Sequence, residues 1–169
     1  MPGKNESGEL LLTRVVNAPR ELVWKVYTEE KHLLQWWGPA GMTMMIGKLE
    51  FRPGGTFLYG MKGPDGNEMW GKFVYREIIP PSRLVFVVSF TDKNGTITRH
   101  PMSPGWPLET LSDTTFEEEN GKTKITVRWK AINASEEECK LFDASHMGMN
   151  AGMEGTFKQL DAYLGTIQK

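Results

Sequence analysis

The sequence predicts an α+β domain in which a curved antiparallel sheet of about seven strands wraps one long C-terminal helix, with two short helices after the first strand. Three observations predict it. Residues 42–131 alternate strand-like runs with turn signals. The segment after Ser135 carries one continuous helical stripe. Nothing divides the 169 residues into parts, and that length suits a single domain with a sizeable core.

Residues 1–8 are polar and glycine-containing and are expected to be disordered, so the domain is placed at residues 9–167. From Glu9 to Asn17 the run ELLLTRVVN is aliphatic and β-branched and stops before Pro19, as a first strand would. Pro19 suits the first position of a helix, Glu21 complements its N-terminal dipole, and Leu22, Val23, Val26 and Tyr27 share a face. Thr28 can cap a second short helix through Leu33 and Leu34, which Gly38 and Pro39 end.

In the strand region, Asn120-Gly121 is the sharpest hairpin marker, because this pair supplies the two positive φ angles of a type I′ turn. Ile125, Val127 and Trp129 alternate with Thr126 and Arg128, the pattern of a half-buried strand. The run RLVFVVSF at 83–90 is apolar on both faces, as a strand covered on each side is. Ser135 and Glu138 form a capping box that opens the last helix. Phe142, His146, Met149, Met153, Phe157, Leu160 and Leu164 then follow at helical spacing, and the stripe must lie against the sheet.

Composition narrows the function classes. Lysine and arginine total 20 against 21 for aspartate and glutamate, so no net field attracts nucleic acid or anionic lipid. The lone Cys139 forms no internal disulfide, and with three scattered histidines it assembles no zinc ligand set; neither a metal nor another cofactor is expected. No secretory h-region and no apolar run of ~18 residues is present, so a cytoplasmic protein without membrane insertion is expected. GxSxG, P-loop, GxGxxG and HExxH motifs are absent.

Several stretches together resemble a known family: APRELVWKVYTEEKHLLQWWGP at 18–39, FRPGGTF at 51–57, YREIIPPSRLVF at 75–86 and FDASHMGMNAGMEGTFKQLDAYL at 142–164. They look like the helix-grip fold of the START-like (SRPBCC, Bet v 1-like) superfamily, in the branch related to the C-terminal domain of the activator of Hsp90 ATPase (AHSA1), over roughly residues 9–167. The resemblance implies an apolar cavity between sheet and long helix, used in that superfamily for lipids, hormones, polyketides or antibiotics, and no universal catalytic residue. RHPMSPGWPLE at 99–109 looks like a feature of one subgroup of the branch. The eukaryotic co-chaperone has a further N-terminal domain, whereas here the first strand begins near Glu9, which argues against a literal Hsp90-activating role.

The expected function is therefore binding of a small apolar or aromatic molecule, with a polyketide cyclase- or dehydratase-like enzyme and a chaperone-associated interaction module as the rival readings. A homodimer stays open. The cavity is expected to be lined by Trp37, Phe57, Tyr59, Trp70, Phe73, Trp106, His146, Met149, Gly152 and Met153. Of Trp36 and Trp37, adjacent on one helix, at most one ring is expected to face inward, and Trp37 is favoured for the pocket mouth. Gly148, Gly152 and Gly155 each weaken a helix by ~1 kcal/mol relative to alanine, so they serve either close helix–strand approach or room for a ligand beside the adaptable Met149 and Met153. His146, the one ionisable side chain on the stripe, is expected to border the cavity, as a structural residue, a ligand anchor or, in the enzymatic reading, an acid/base with Arg99 or His100. The long connection from Thr91 to Glu109 is read as either a lid or a surface flap.

Overall fold

The structure, a computed structural model, describes residues 6–38, 41–101 and 103–168. Its elements run β1 Leu10–Val16, α1 Arg20–Thr28, α2 Glu30–Trp36, β2 Thr43–Leu49, β3 Thr56–Lys62, β4 Glu68–Ile79, β5 Arg83–Thr91, β6 Glu109–Glu119, β7 Lys122–Ile132, α3 Glu136–Ala144 and α4 His146–Ile167. The strands form one seven-stranded antiparallel sheet in the order β1-β7-β6-β5-β4-β3-β2. Consecutive strands from β2 to β7 are neighbours, while α1 and α2 carry the chain from one edge strand to the other.

The strand patterns explain this order. β5, apolar on both faces in sequence, is the central strand, and it buries Leu84, Val85, Phe86 and Val87 in succession. Asn120 and Gly121 adopt φ of 54° and 80°, closing the β6–β7 hairpin as a type I′ turn requires. The core lies between the concave face, α1–α2 and α4, and includes Val23, Trp36, Phe57, Phe116, Phe142 and Phe157.

Four local expectations need correction. Residues 6–8 are held in place: Ser7 N donates to Ala131 O at 3.1 Å, Ala131 N donates to Ser7 Oγ, and Glu6 pairs with Lys130. The N-terminal boundary therefore moves from Glu9 to Glu6, the remainder of the segment, residues 1–5, lying outside the described residues. Thr28 does not cap α2, because its hydroxyl donates back to Trp24 O at 2.7 Å inside α1, and Glu29 takes the N-cap position. Pro19 is the N-cap of α1 rather than its first helical residue. Both indoles of the Trp pair pack inward, since Trp36 is 1% exposed with its Nε1 donating to Val26 O, and Trp37 stands edge-on to it.

The C-terminal segment is two helices rather than one. The Ser135–Glu138 capping box opens α3 as expected, but the chain breaks at Ser145, with φ −96° and ψ 3°. There Ser145 N bonds Phe142 O three residues back, while Ser145 Oγ donates to Leu141 O four residues back. A serine hydroxyl that competes for a helix carbonyl bends the helix, and here the bend separates the Phe142 stripe from that of Phe157, Leu160 and Leu164. Among the described residues no helix is long and apolar enough to cross a membrane.

Candidate functional site

The break at Ser145 creates the space that matters. The C-terminal half of α4 is anchored by buried Thr156, Phe157, Leu160 and Leu164, and Arg14 of β1 ties it down through Glu154 and Asp161. The N-terminal half stands off the sheet. A Cβ built on Gly148 or Gly152 would meet nothing within 4 Å, so these glycines are not there for close helix–strand approach. Between this half-helix and the concave face lies a cavity of about 520 Å³.

Its walls come from most of the fold. Phe86 and Val88 of β5, with Val127 and Trp129 of β7, form the floor on either side of Thr110, Ser112 and Thr114 of β6. Tyr59 and Met61 of β3 and Met69 of β4 close one flank, with Tyr27 of α1 and Trp37 nearby. Met149, Met153 and Thr156 border it from α4, and Thr156 Oγ1 donates to Gly38 O at 3.0 Å.

The 92–108 connection covers the remaining side, contributing His100, Ser103, Trp106 and Pro107 to the lining. It is fastened rather than loose. Arg99 pairs with Glu138 and also donates to Trp106 O at 3.2 Å, Trp106 packs on Phe142 with centroids 5.5 Å apart, and His100 lies 4.4 Å from Phe90. Glu138 thus joins the α3 cap to the loop. The Ser135 backbone N–H, and then Arg99, hold its carboxyl below the usual carboxylate range.

Of the residues expected to line the cavity, Trp37, Tyr59, Trp106, Met149, Gly152 and Met153 are brought together there. Phe57, Trp70, Phe73 and His146 are not, each for a physical reason. Phe57 is completely buried, against Tyr59 and Phe73, in the core behind the cavity. Phe73 is one layer back as well, stacked on Phe86 at 4.3 Å and edge-on to Trp37 at 5.0 Å. Trp70 sits on the opposite face of the sheet from Phe73, as odd spacing on a strand dictates, with its ring over Gly60 and its Nε1 donating to Glu68. His146 follows the break, so the stripe's phase no longer applies to it. Its ring is edge-on to Phe142, and its Nε2 is buried 3.7 Å from Asp143 Oδ1, beyond hydrogen-bonding distance.

Sequence reasoning missed the hydroxyl row of β6. Thr110, Ser112 and Thr114 are 2%, 6% and 1% exposed and alternate with Leu111 and Asp113, so the hydroxyls, not the leucine, face the interior. An alternating polar face reads as a solvent face; only the next inward residue, Phe116, betrays its direction. Trp129, which the alternation puts on one face with Ile125 and Val127, joins the lining as well.

No lysine, arginine, aspartate or glutamate is among the described residues that line the cavity. Burial pushes the Tyr59 phenol up to about 12 and the Tyr27 phenol higher still, and lowers the His100 imidazole, so every one of these groups favours its neutral form. No group of three or more His, Cys, Asp or Glu among the described residues is placed to hold a metal ion. The site is an apolar, uncharged chamber with a few hydroxyls.

The family model for activator of Hsp90 ATPase homolog 1-like proteins matches residues 17–165. The fold is similar to the crystal structure of a Mycobacterium smegmatis protein, with 27% identity, 92% of this chain and 90% of that one covered, and a TM-score of 0.74. It is similar to the solution structure of an Arthrobacter aurescens protein as well, with 27% identity, 94% and 86% covered, and a TM-score of 0.76. An AHSA1 protein from Silicibacter pomeroyi, 18% identical over 94% of this chain and 99% of that one, shares the fold at a TM-score of 0.72. No curated protein matches the chain. With the seven-stranded sheet gripping a C-terminal helix and the family model spanning nearly the whole domain, the chain belongs to the activator of Hsp90 ATPase homolog 1-like family.

Proposed function

We propose that this protein is a cytoplasmic binding protein for a small apolar or aromatic molecule held between the sheet and α4. The observation that carries this reading is the chamber of about 520 Å³, in the size range of small-molecule sites, beside two helical glycines whose missing side chains open onto it. Met149 and Met153 adapt to ligand shape, and the aromatic rings of Trp37, Tyr59 and Trp106 supply contact area.

The rival readings have less support. A cyclase-type enzyme would use His146 with Arg99 or His100 at the cavity; His100 lines it, yet His146 lies outside it and Arg99 is engaged by Glu138 and Trp106. An interaction module is favoured by a filled interior, which this fold does not have.

The test is native mass spectrometry of protein drawn from its own host, comparing the natural chain with Gly152→Phe. The expected result is a co-purifying small molecule that is lost when the phenylalanine ring occupies the chamber. Retention of that molecule by Gly152→Phe would place binding elsewhere and refute the reading.

A further inference from the structure

The reverse face of the sheet carries an exposed apolar row near its β2 edge. Met61 and Met69 line the chamber, so Gly60 and Trp70, their neighbours along β3 and β4, lie on the face turned away from it. A Cβ on Gly60 would fall 2.8 Å from the Trp70 ring, which therefore lies across the glycine. Ile46 of β2 pairs with Gly60 from the other side, so isoleucine and ring share one row. Met45, unpaired in the bulge between Met44 and Ile46, stands beside it, and the row continues through Thr91 to Ile97. Ile46, Met45 and Ile97 are 53%, 40% and 38% exposed.

Lysines border this row on both sides. In the next row of the same face Lys48 and Lys72 are the two cross-strand partners of Leu58, and on the opposite side Lys62 pairs with Glu68. Glu68 is the one carboxylate at these positions, and it accepts the Trp70 Nε1–H at 3.1 Å. Among the described residues none of these three lysines is held in an ion pair, whereas Arg14, Arg83, Arg99, Arg128 and Lys130 all are. The face is thus an apolar strip with uncompensated positive charge along its margins.

From this arrangement we infer that the reverse face at β2–β4 docks on an anionic lipid surface, with Trp70, Ile46 and Met45 seated among the headgroups and Lys48, Lys62 and Lys72 against the lipid phosphates. Tryptophan favours the membrane–water boundary, where its ring is half wet and half apolar. Lysine stems lie along apolar surface and carry their charge to its rim, where an anionic headgroup meets it. An ordinary protein interface buries about 800 Å² on each partner, and three apolar side chains beside one ring make a narrow centre for that. A bilayer needs only a few interfacial anchors in addition to its charge attraction. The docking is peripheral, since among the described residues no helix can cross a membrane. It is also short-ranged, because the net charge of −1 gives no attraction from afar. The inference goes beyond the binding reading, and each can fail without the other.

The experiment is co-sedimentation with vesicles of phosphatidylcholine alone and of phosphatidylcholine with about 30% phosphatidylglycerol, at about 0.1 M and about 0.5 M salt. The expected result is that the natural chain sediments with the anionic vesicles and not the neutral ones, and is released by the higher salt. Lys48→Gln/Lys72→Gln should weaken binding about 25-fold, from ~1 kcal/mol per lysine at an anionic surface. Ile46→Glu should weaken it about tenfold or more. Leu11→Gln, at an equally exposed leucine on β1, should leave it unchanged. The lipid and salt dependence are read on the natural chain, so they stand even where a variant folds poorly. Failure of the natural chain to sediment with anionic vesicles overturns the inference, as does binding that Ile46→Glu leaves intact. Self-association that Ile46→Glu abolishes, seen by ultracentrifugation without any vesicle binding, makes the face a contact between copies and overturns it as well. None of these outcomes bears on the chamber, whose ligand is tested by native mass spectrometry.

Discussion

Replacing Gly152 with alanine should make this protein more stable, against the usual outcome of mutation. Gly152 lies inside α4, and an added Cβ there would meet no atom within 4 Å. The substitution therefore brings no clash and recovers the helix-propensity difference of ~0.5–1 kcal/mol. For a domain of this size each kcal/mol moves Tm by about 2–4 °C, so a rise of about 1–4 °C is expected in a thermal melt followed by circular dichroism. Gly148, in the first turn of α4, should gain less from the same change. Gly71 provides the contrast: its Cβ would lie 2.6 Å from the Tyr59 hydroxyl and 2.8 Å from Cζ of that buried ring. Gly71→Ala should accordingly lose ~1–3 kcal/mol by overpacking. A fall in Tm for Gly152→Ala comparable to that of Gly71→Ala would mean that α4 packs tightly on the sheet at Gly152, and the chamber described here would not exist.

Other expectations follow from single residues. Phe157, 1% exposed in the anchored half of α4, should lose ~3–5 kcal/mol on replacement by alanine, measured by urea unfolding. Burial lowers the imidazole pKa of both His32 and His100, so the unfolded chain binds more protons below the ordinary imidazole range. Stability should therefore fall as pH drops through that range from about 6.5. The double variant His32→Asn/His100→Asn should flatten the drop between pH 7.5 and 5.5, and an unchanged slope would contradict the assignment. Cys139 is buried, and burial followed by the charges of Asp143 and Glu138 pushes its thiol up, so it should react with a thiol reagent at neutral pH much more slowly than in the urea-unfolded chain.

The sheet was legible because its signals are local. Asn120-Gly121 dictates a hairpin by itself, and the doubly apolar run at 83–90 marks the centre of a sheet. The break at Ser145 was not legible, because serine tolerates a helix interior and only the competition of its hydroxyl for Leu141 O, set by tertiary packing, ends the helix there. That one event moved His146 away from the cavity. Trp70 differs in kind: strand parity places it on the opposite face from Phe73, and which of the two faces the core is set by the pairing of β4 with β3. The inward hydroxyls of β6 run against the rule that polarity means solvent, because the strand that floors a cavity turns them to the interior.

The uneven support beneath α4 has a consequence for how the molecule opens. From Thr156 onward the helix buries Phe157, Leu160 and Leu164, whereas from Met147 to Gly152 its residues are exposed or half-buried, with Met147 88% exposed. Backbone amides in the two halves should exchange with deuterium on separate timescales, the C-terminal half near the rate of global unfolding and the N-terminal half by local fraying from Ser145. The helix is thus held at one end only, and its loose turns should unwind without disturbing the sheet.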